Sequence, residues 1–287
     1  MSDFVQQQHT ICNFSNEGSW VILSPIEQSI KQKIETVGTP LKDWDIKIYR
    51  GVLTGYNDAF IISTEKRDEI LANCQTDDER LRTAELIRPI LRGRDIKRYG
   101  YNWADLWLIA TFPSRHYDIE EFPAVKAHLL SFGKERLEQT GKKYIINGEE
   151  VKARKKTSNK WFETQDSISY WDDFLQPKIV YPETTQGAFF AYDETGIFLD
   201  KTCFMMTTKY VRYIQATLSS QLFEFAYKRI FSSIELGQHG FQYNKHALIK
   251  LPIKKFNGDD SAIFSEEFFY NQYGITTDEI DYIQNTI

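Results

Sequence analysis

The chain has 287 residues, a length for one large domain or two moderate ones, and its 41% of hydrophobic residues are enough for a core, with a high 15% aromatic. Its formal net charge of −5 argues, taken alone, against a nucleic-acid ligand. No long apolar run, no secretory signal and only three widely spaced cysteines occur, so the composition predicts a reduced cytoplasmic protein with no membrane span, disulfide framework or zinc cluster.

The charge is unevenly distributed along the chain. Residues 257–287 contain seven acidic side chains and no lysine or arginine, so residues 1–256 carry +2, the difference between −5 and −7. Two segments concentrate the positive charge: residues 88–98 carry +4 and residues 133–161 carry +5. Because local clusters govern attraction to phosphates, the sequence still permits a polyanionic ligand.

The first third of the chain predicts a linker, a short strand, a helix and a strand–loop–strand unit. Residues 1–19 are polar and unpatterned, and residues 20–23 predict the short strand. Ser24 as an N-cap, followed by proline and an acid, predicts a helix to about residue 37. Alternating apolar residues then predict two strands around a turn-rich loop. The strands cover residues 46–49 and 59–62, and the loop covers residues 50–57.

The middle of the chain predicts mostly strands, and the end predicts mostly helices. Asn147 and Gly148, between alternating flanks, predict a hairpin with a type I′ turn. Helices are predicted over residues 65–72, 122–132 with a continuation to 137 left open, 210–230, 264–273 and 277–283, the last with Thr277 as its N-cap. Further strands are predicted over residues 103–111, 178–182, 188–192, 196–199, 204–207 and 247–253, and a loop over residues 237–241.

These elements predict an α+β protein with a β-rich half that carries basic loops and a hairpin, followed by a helical half. The expected divisions are a linker (1–19), a β-rich region (20–201), a helical packing region (202–256) and an acidic helical tail (257–287). We expect the tail to pack on the rest of the chain, to face a partner domain or to screen the basic surface.

The loop over residues 50–57 is the first candidate site, since Arg50, Thr54, Tyr56 and Asn57 offer groups that bond phosphates or base edges. Gly51 and Gly55 would let the backbone approach a ligand closely. The alternative is a loop held by its own asparagine and threonine bonds.

Three further segments carry candidate DNA contacts. In the first, arginine predominates, which suits bidentate contact with phosphate or guanine, and Asp95 is expected to orient one arginine. The second is the hairpin and its flanks, which could enter a groove, and the third is a glycine-flanked loop. The candidates are Arg92, Arg94, Lys97 and Arg98; Lys142, Lys143, Arg154, Lys155, Lys156 and Lys160; and Gln238 and His239. Solvated surface charge is the alternative in each case.

The pattern G-x-x-T-G-x-N-x-A-F from residue 51, followed by L-R-G-R-D-I-K-R-Y from residue 91, resembles the C-terminal specificity domain of TaqI-type adenine-N6 DNA methyltransferases. This group includes the fused type IIG restriction–methylation enzymes. Weaker matching pieces follow in the expected order to the end of the chain. They cover residues 103–109, 161–163, 178–183 and 237–241.

The resemblance implies a module that binds double-stranded DNA and places its target sequence against a methyltransferase domain, which flips out an adenine. That domain would bind S-adenosylmethionine and use an N-P-P-[FY] loop, and no Asn-Pro-Pro occurs in this sequence. We therefore expect the chain to lack the catalytic half and to bind no cofactor itself. Its methyltransferase partner would lie in the same polypeptide or in a separate subunit.

Two other classes of function stay open. In a self-contained nuclease, Glu150 and Lys152 would form half of a metal site, although no companion acid is evident and no Ser/His/Asp arrangement stands out. In a protein-interaction domain, the apolar face of residues 210–230 would bind a partner, although such a face more often belongs to the core.

Overall fold

The computed structural model describes residues 23–231, 235–236 and 240–287. Within these ranges the fold mixes helices and strands, which confirms the predicted α+β class. The expected linker and nearly all of the strand over residues 20–23 lie outside the described residues.

Twelve α-helices lie in the described ranges. They are α1 (Pro25–Val37), α2 (Asn57–Phe60), α3 (Thr64–Ala72), α4 (Asp77–Leu86), α5 (Pro123–Leu130), α6 (Lys134–Leu137), α7 (Trp171–Leu175), α8 (Val211–Ser219), α9 (Gln221–Ala226), α10 (Lys245–Leu248), α11 (Glu266–Tyr273) and α12 (Thr277–Thr286).

Seventeen strands lie in the same ranges, most of them short. They are β1 (Gly38–Pro40), β2 (Ile46–Arg50), β3 (Ile61–Ser63), β4 (Ile87–Leu91), β5 (Ile96–Lys97), β6 (Gly100–Tyr101), β7 (Leu106–Ile109), β8 (Lys143–Ile146), β9 (Glu149–Lys152), β10 (Lys178–Pro182), β11 (Thr184–Thr185), β12 (Ala191–Asp193), β13 (Phe198–Leu199), β14 (Cys203–Thr208), β15 (Glu235–Leu236), β16 (Gly240–Gln242) and β17 (Pro252–Lys254).

A four-stranded antiparallel sheet, in the order β12-β10-β14-β2, separates two hydrophobic cores. Because side chains alternate along a strand, Ile179 and Tyr181 of β10 enter one core while Val180 enters the other. Met206 and Met205 of β14 divide in the same way. Both faces of the sheet are therefore covered, which explains why every residue of β10 is buried.

The first core contains side chains of α1, α8, α9 and the tail helices α11 and α12. The second core contains a second sheet, in the order β13-β4-β7-β3, and the helices α3 to α7. The expected division near residue 202 passes through the central sheet, since β14 pairs with β10 and β2. The domain division itself stays a prediction.

Helix α1 begins where the sequence predicts. The Ser24 hydroxyl accepts from the Glu27 amide at 3.4 Å, and the Glu27 carboxylate accepts from the Ser24 amide at 2.7 Å. This reciprocal pair satisfies two amides that have no partner inside the helix. The helix then buries Ile30 and Ile34 in the first core.

Two predicted elements differ from the structure. The strand over residues 59–62 is wrong in its first half, because Ala59 and Phe60 are both fully buried and belong to the helical turn α2. The helix over residues 210–230 is broken at Ser220, whose side chain caps α9 by accepting from the Phe223 amide. Both helices face one core, so the apolar spacing continues across the break. A π-helical turn, Tyr227–Phe231, follows.

The end of the chain also differs in detail. Residues 247–253 were expected as one strand, but α10 ends at Leu248 and only Pro252–Lys254 pairs, with β1. The N-cap of α12 is Thr276, whose hydroxyl accepts from the Glu279 amide, and not Thr277.

The acidic tail packs on the rest of the chain. Asp260 accepts from the amides of Arg212 and Tyr213 at the start of α8, at 3.0 and 2.9 Å. Glu279 pairs with Lys33 of α1 at 2.6 Å. These acids therefore stabilise helix starts and helix contacts within the fold. Over the described ranges, no helix combines the length and apolarity needed to cross a bilayer.

Candidate nucleic-acid interface

A concave surface of about 690 Å³ brings together segments that are far apart in the sequence. We call it the basic cleft. Its charged lining comprises five cations, Arg50, Arg92, Arg94, Lys97 and Lys201, and two acids, Glu183 and Asp200. The lining is thus +3 in a chain whose net charge is −5. Four of the five cations are ones that the sequence predicts.

Arg50 reaches the cleft because β2 continues alongside residues 199–203. The Gly51 amide donates to the Cys203 carbonyl at 2.8 Å, and a Cβ added at Gly51 would lie 1.9 Å from the Asp200 oxygen. The glycine therefore permits close approach to the chain's own backbone, which corrects the expected approach to a ligand. The guanidinium of Arg50 donates to the Lys201 carbonyl at 2.9 Å and to Glu183 at 3.1 Å.

Arg92 is held by the buried carboxylate of Asp95. Its Nε and Nη2 donate to the two carboxylate oxygens at 3.0 and 2.9 Å, and its amide also donates at 3.0 Å. Burial tends to raise the pKa of Asp95, but the bonds from Arg92 outweigh it and hold that pKa below its ordinary value. The prediction that Asp95 orients an arginine is confirmed.

Arg94 and Lys201 are both exposed in the cleft. Over the described part of the chain, neither charged head group has a hydrogen-bond or ion-pair partner. Lys97 donates to the Arg94 carbonyl at 2.9 Å. Arg98 does not line the cleft: its guanidinium pairs with the buried Glu224 of α9, and its role as a phosphate contact stays a prediction.

The sequence analysis missed the cleft residues that follow β10 and β13. Lys201 and Gln186 line the cleft, together with the hydroxyls of Thr184 and Thr202. The Thr202 hydroxyl also accepts from the Gly93 amide at 2.9 Å, which joins the two walls. The one available signal was the matching piece over residues 178–183, which ends where this wall begins.

The loop between β2 and α2 holds itself together. Thr54 is fully buried, and its hydroxyl donates to Asn57 Oδ1 at 2.7 Å. This is the alternative arrangement that the sequence left open, and it corrects the expected contact between Thr54 and DNA. Gly55 has φ +81° and lies against Arg154 and Gln165 rather than at an open surface. Asn57 itself is exposed.

Tyr56 joins this loop to the segment before the hairpin. Its ring packs edge-on against Phe132, and its hydroxyl lies 3.5 Å from Arg136. The ring is half-buried, so one part of the side chain still faces solvent.

Arg154 is buried, with only 4% of its surface exposed. Its guanidinium donates to the carbonyls of Leu137, Thr54, Glu163 and Trp161 at 2.7–2.8 Å. Burial lowers its pKa to about 10, so it stays charged at neutral pH. The prediction that Arg154 contacts DNA is therefore wrong: it ties the loop after β2 to the base of the hairpin.

The predicted hairpin is confirmed. Lys143 pairs with Lys152 and Ile146 with Glu149, and the two turn residues have φ +51° and +85°, as a type I′ turn requires. We call residues 142–156 the basic hairpin. Exposed lysines lie along it and just beyond it, namely Lys142, Lys143, Lys152, Lys155, Lys156 and Lys160.

The basic cleft and the basic hairpin are neighbours through the loop after β2. Arg50 lies in the cleft, while Tyr56 reaches the segment that precedes the hairpin. Tyr56 follows Arg50 by six positions, so the Cα atoms of these two residues are at most about 20 Å apart, given roughly 3.4 Å per extended residue. At the base of the hairpin, Arg154 also donates to the Thr54 carbonyl of the same loop.

Gln238 and His239 lie outside the described residues. Glu150 is exposed and pairs with Lys143 at 2.9 Å. Among the residues that the structure describes, no three His, Cys, Asp or Glu side chains lie close enough to share a metal ion.

The apolar face of residues 210–230 belongs to the chain's own core. Its apolar side chains are all buried. They are Val211, Ile214, Leu218, Leu222, Phe225 and Ile230.

Both cationic surfaces fall within a match to a known family. The model of the TaqI-like C-terminal specificity domain matches residues 88–253, more than half of the chain. The chain belongs to this family. The matched segment contains the whole basic hairpin and every cleft residue except Arg50.

Two solved structures are similar to the chain at low identity. The type IIL restriction-modification enzyme MmeI, in complex with DNA, is 13% identical, with a TM-score of 0.47 over 74% of this chain and 25% of that one. The type IIG restriction endonuclease BpuSI is also 13% identical, with a TM-score of 0.49 over 91% of this chain and 28% of that one. The chain thus spans about a quarter of the length of these enzymes.

Proposed function

We propose that this chain recognises a specific sequence in double-stranded DNA. The observation that carries the proposal is the concentration of positive charge on two neighbouring surfaces, the basic cleft and the basic hairpin, in a chain whose net charge is −5. Such clusters attract a polyanion whatever the total charge of the protein. Membership in a family of specificity domains supports the same conclusion.

The two surfaces would divide the work of binding. Lysines of the hairpin would neutralise phosphates, which gives affinity without sequence preference. In the cleft, Arg94 is free to reach the edge of a base, where a bidentate contact with guanine discriminates by about 1–3 kcal/mol. Gln186, on the opposite wall, has the carboxamide that pairs with adenine.

The DNA-bound chain would present its target to a methyltransferase domain that modifies adenine at N6. That domain would lie in the same polypeptide or in a second subunit, and it would bind S-adenosylmethionine. This chain's own contribution is selection of the site.

The test is the salt dependence of duplex binding, measured by fluorescence anisotropy. The slope of log K against log salt should be strongly negative. Each phosphate contact contributes about −0.9 to this slope, so removing one contact makes the slope less negative by about 0.9. Lys155→Ala with Lys156→Ala should flatten it by about 1.8, and Arg94→Ala should weaken sequence preference instead. Lys31→Ala is the control and should change neither, since Lys31 lies on the solvent side of α1 and pairs with Glu35. A slope near zero for the unaltered chain would overturn the proposal.

A further inference from the structure

The two faces of the basic hairpin differ in chemistry. One face packs towards the protein: Tyr144 is half-buried and donates to Glu138 at 3.1 Å, and Val151 is also half-buried. The other face points outwards and carries Ile145 directly opposite Glu150. Ile145 is 73% exposed, although it lies in one of the most cationic segments of the chain.

An isoleucine and a carboxylate are unsuited to contact with phosphates. Isoleucine has no donor for a phosphate oxygen, and a carboxylate repels one. The floor of the major groove has the complementary chemistry, because it displays the thymine methyl group and the amino donors of cytosine and adenine. The walls of the groove carry the phosphates.

Lysines lie beside this pair on the same face of the hairpin, where they could reach the walls of a groove. Lys143 and Lys152 pair with each other two positions along the hairpin from Ile145 and Glu150. Lys155 and Lys156 follow at its base. Glu150 is bonded to Lys143, but an exposed ion pair contributes little to stability, so the carboxylate is free to exchange partners.

We propose that the basic hairpin enters the major groove and that Ile145 and Glu150 read bases there. Ile145 would pack on a thymine methyl group, and Glu150 would accept from the amino group of a neighbouring cytosine or adenine. The inference rests on the proposed function and goes further, since it assigns sequence discrimination to two residues of the hairpin. A two-stranded ribbon fits the width of the major groove.

The experiment begins with selection of bound duplexes from a randomised pool by the full 287-residue chain. Each thymine of the selected duplex is then replaced in turn by uracil, which removes only the methyl group. One replacement should weaken binding by about three- to fivefold, the value of one buried methyl-sized group. Ile145→Ala should abolish that effect, while Ile263→Ala, at an isoleucine in the tail that is 99% exposed, should preserve it.

Glu150→Ala should relax selection at one position by about tenfold or more, because it removes the acceptor. Glu149→Ala is its matched control, because Glu149 is exposed on the opposite face of the same strand. If both hairpin variants select the same sequences as the unaltered chain, or if uracil has no effect at any thymine, the inference is overturned. Failure of the proposed function itself would give a different result, because neither the unaltered chain nor any variant would then bind duplex DNA in a salt-dependent manner.

Discussion

The basic cleft and the basic hairpin differ in how firmly some of their cations are held. In the cleft, Arg92 is held at 2.9 Å by the buried Asp95, and Arg50 pairs at 3.1 Å with the more exposed Glu183. In the hairpin, Lys155 and Lys156 are exposed and have no ion pair within the described ranges. A fixed guanidinium presents its donors in one geometry, whereas a free ammonium follows a phosphate as it moves. In the proposed function, Arg92 would belong to a rigid surface that sets register, and these lysines to an adaptable one that supplies affinity.

Breaking the link between the two surfaces should have the largest effect on stability. Arg154→Ala removes the donor to four carbonyls, one in the loop after β2 and three in the segments that flank the hairpin. Leaving buried polar groups without partners is costly, so we expect the free energy of unfolding in urea to fall by about 3–5 kcal/mol.

The neighbouring Lys155→Ala is the control for this variant. Its side chain is exposed, so the free energy of unfolding should change by no more than about 0.5 kcal/mol. Equal losses in the two variants would contradict the structural role of Arg154. Affinity for DNA should fall more in Lys155→Ala than in Arg154→Ala. Both variants are measured at a temperature at which Arg154→Ala remains folded.

The contrast between Arg154 and its neighbours also shows what the sequence could predict. The hairpin was predictable because an Asn-Gly turn is a local signal that needs only its own flanks. The charge run over residues 154–156 gave no indication that its first member turns inwards, since burial depends on carbonyls of residues 54 and 137.

The cleft was only half predictable for a similar reason. Arg92 and Arg94 lie in an obvious basic segment, whereas Lys201 and Gln186 reach the same surface through pairing of distant strands. The apolar pattern of one segment does not indicate which distant strand it pairs with. Lys201 and Gln186 could therefore not be assigned to the cleft from the sequence.

A second variant tests the rigid surface itself. Asp95→Asn should lower the free energy of unfolding at pH 7 by about 1.5–3 kcal/mol, since it weakens charged hydrogen bonds to Arg92. The pKa of Asp95 is depressed in the folded state, so its stabilisation is present above the ordinary aspartate pKa and is lost as the pH falls through the folded value. The difference in the free energy of unfolding between the unaltered chain and Asp95→Asn should therefore become smaller below about pH 4.

Urea unfolding at several values of pH measures this difference. Asp281→Asn is a suitable control, because Asp281 is exposed on α12 and its side chain makes no bond within the described residues. If the difference in the free energy of unfolding stays constant from pH 7 to below about pH 4, the charge of Asp95 does not hold Arg92.

The smallest effect is expected at the other fixed arginine. Glu183 and Arg50 are 31% and 54% exposed, so their ion pair should contribute no more than about 1 kcal/mol. Glu183→Gln keeps an acceptor for Arg50 but raises the charge of the cleft lining from +3 to +4, so affinity for random duplex should rise slightly at low salt. Equilibrium binding at two salt concentrations measures this change. An affinity that falls instead would mean that Glu183 fixes Arg50 for binding as firmly as Asp95 fixes Arg92, despite its exposure to solvent.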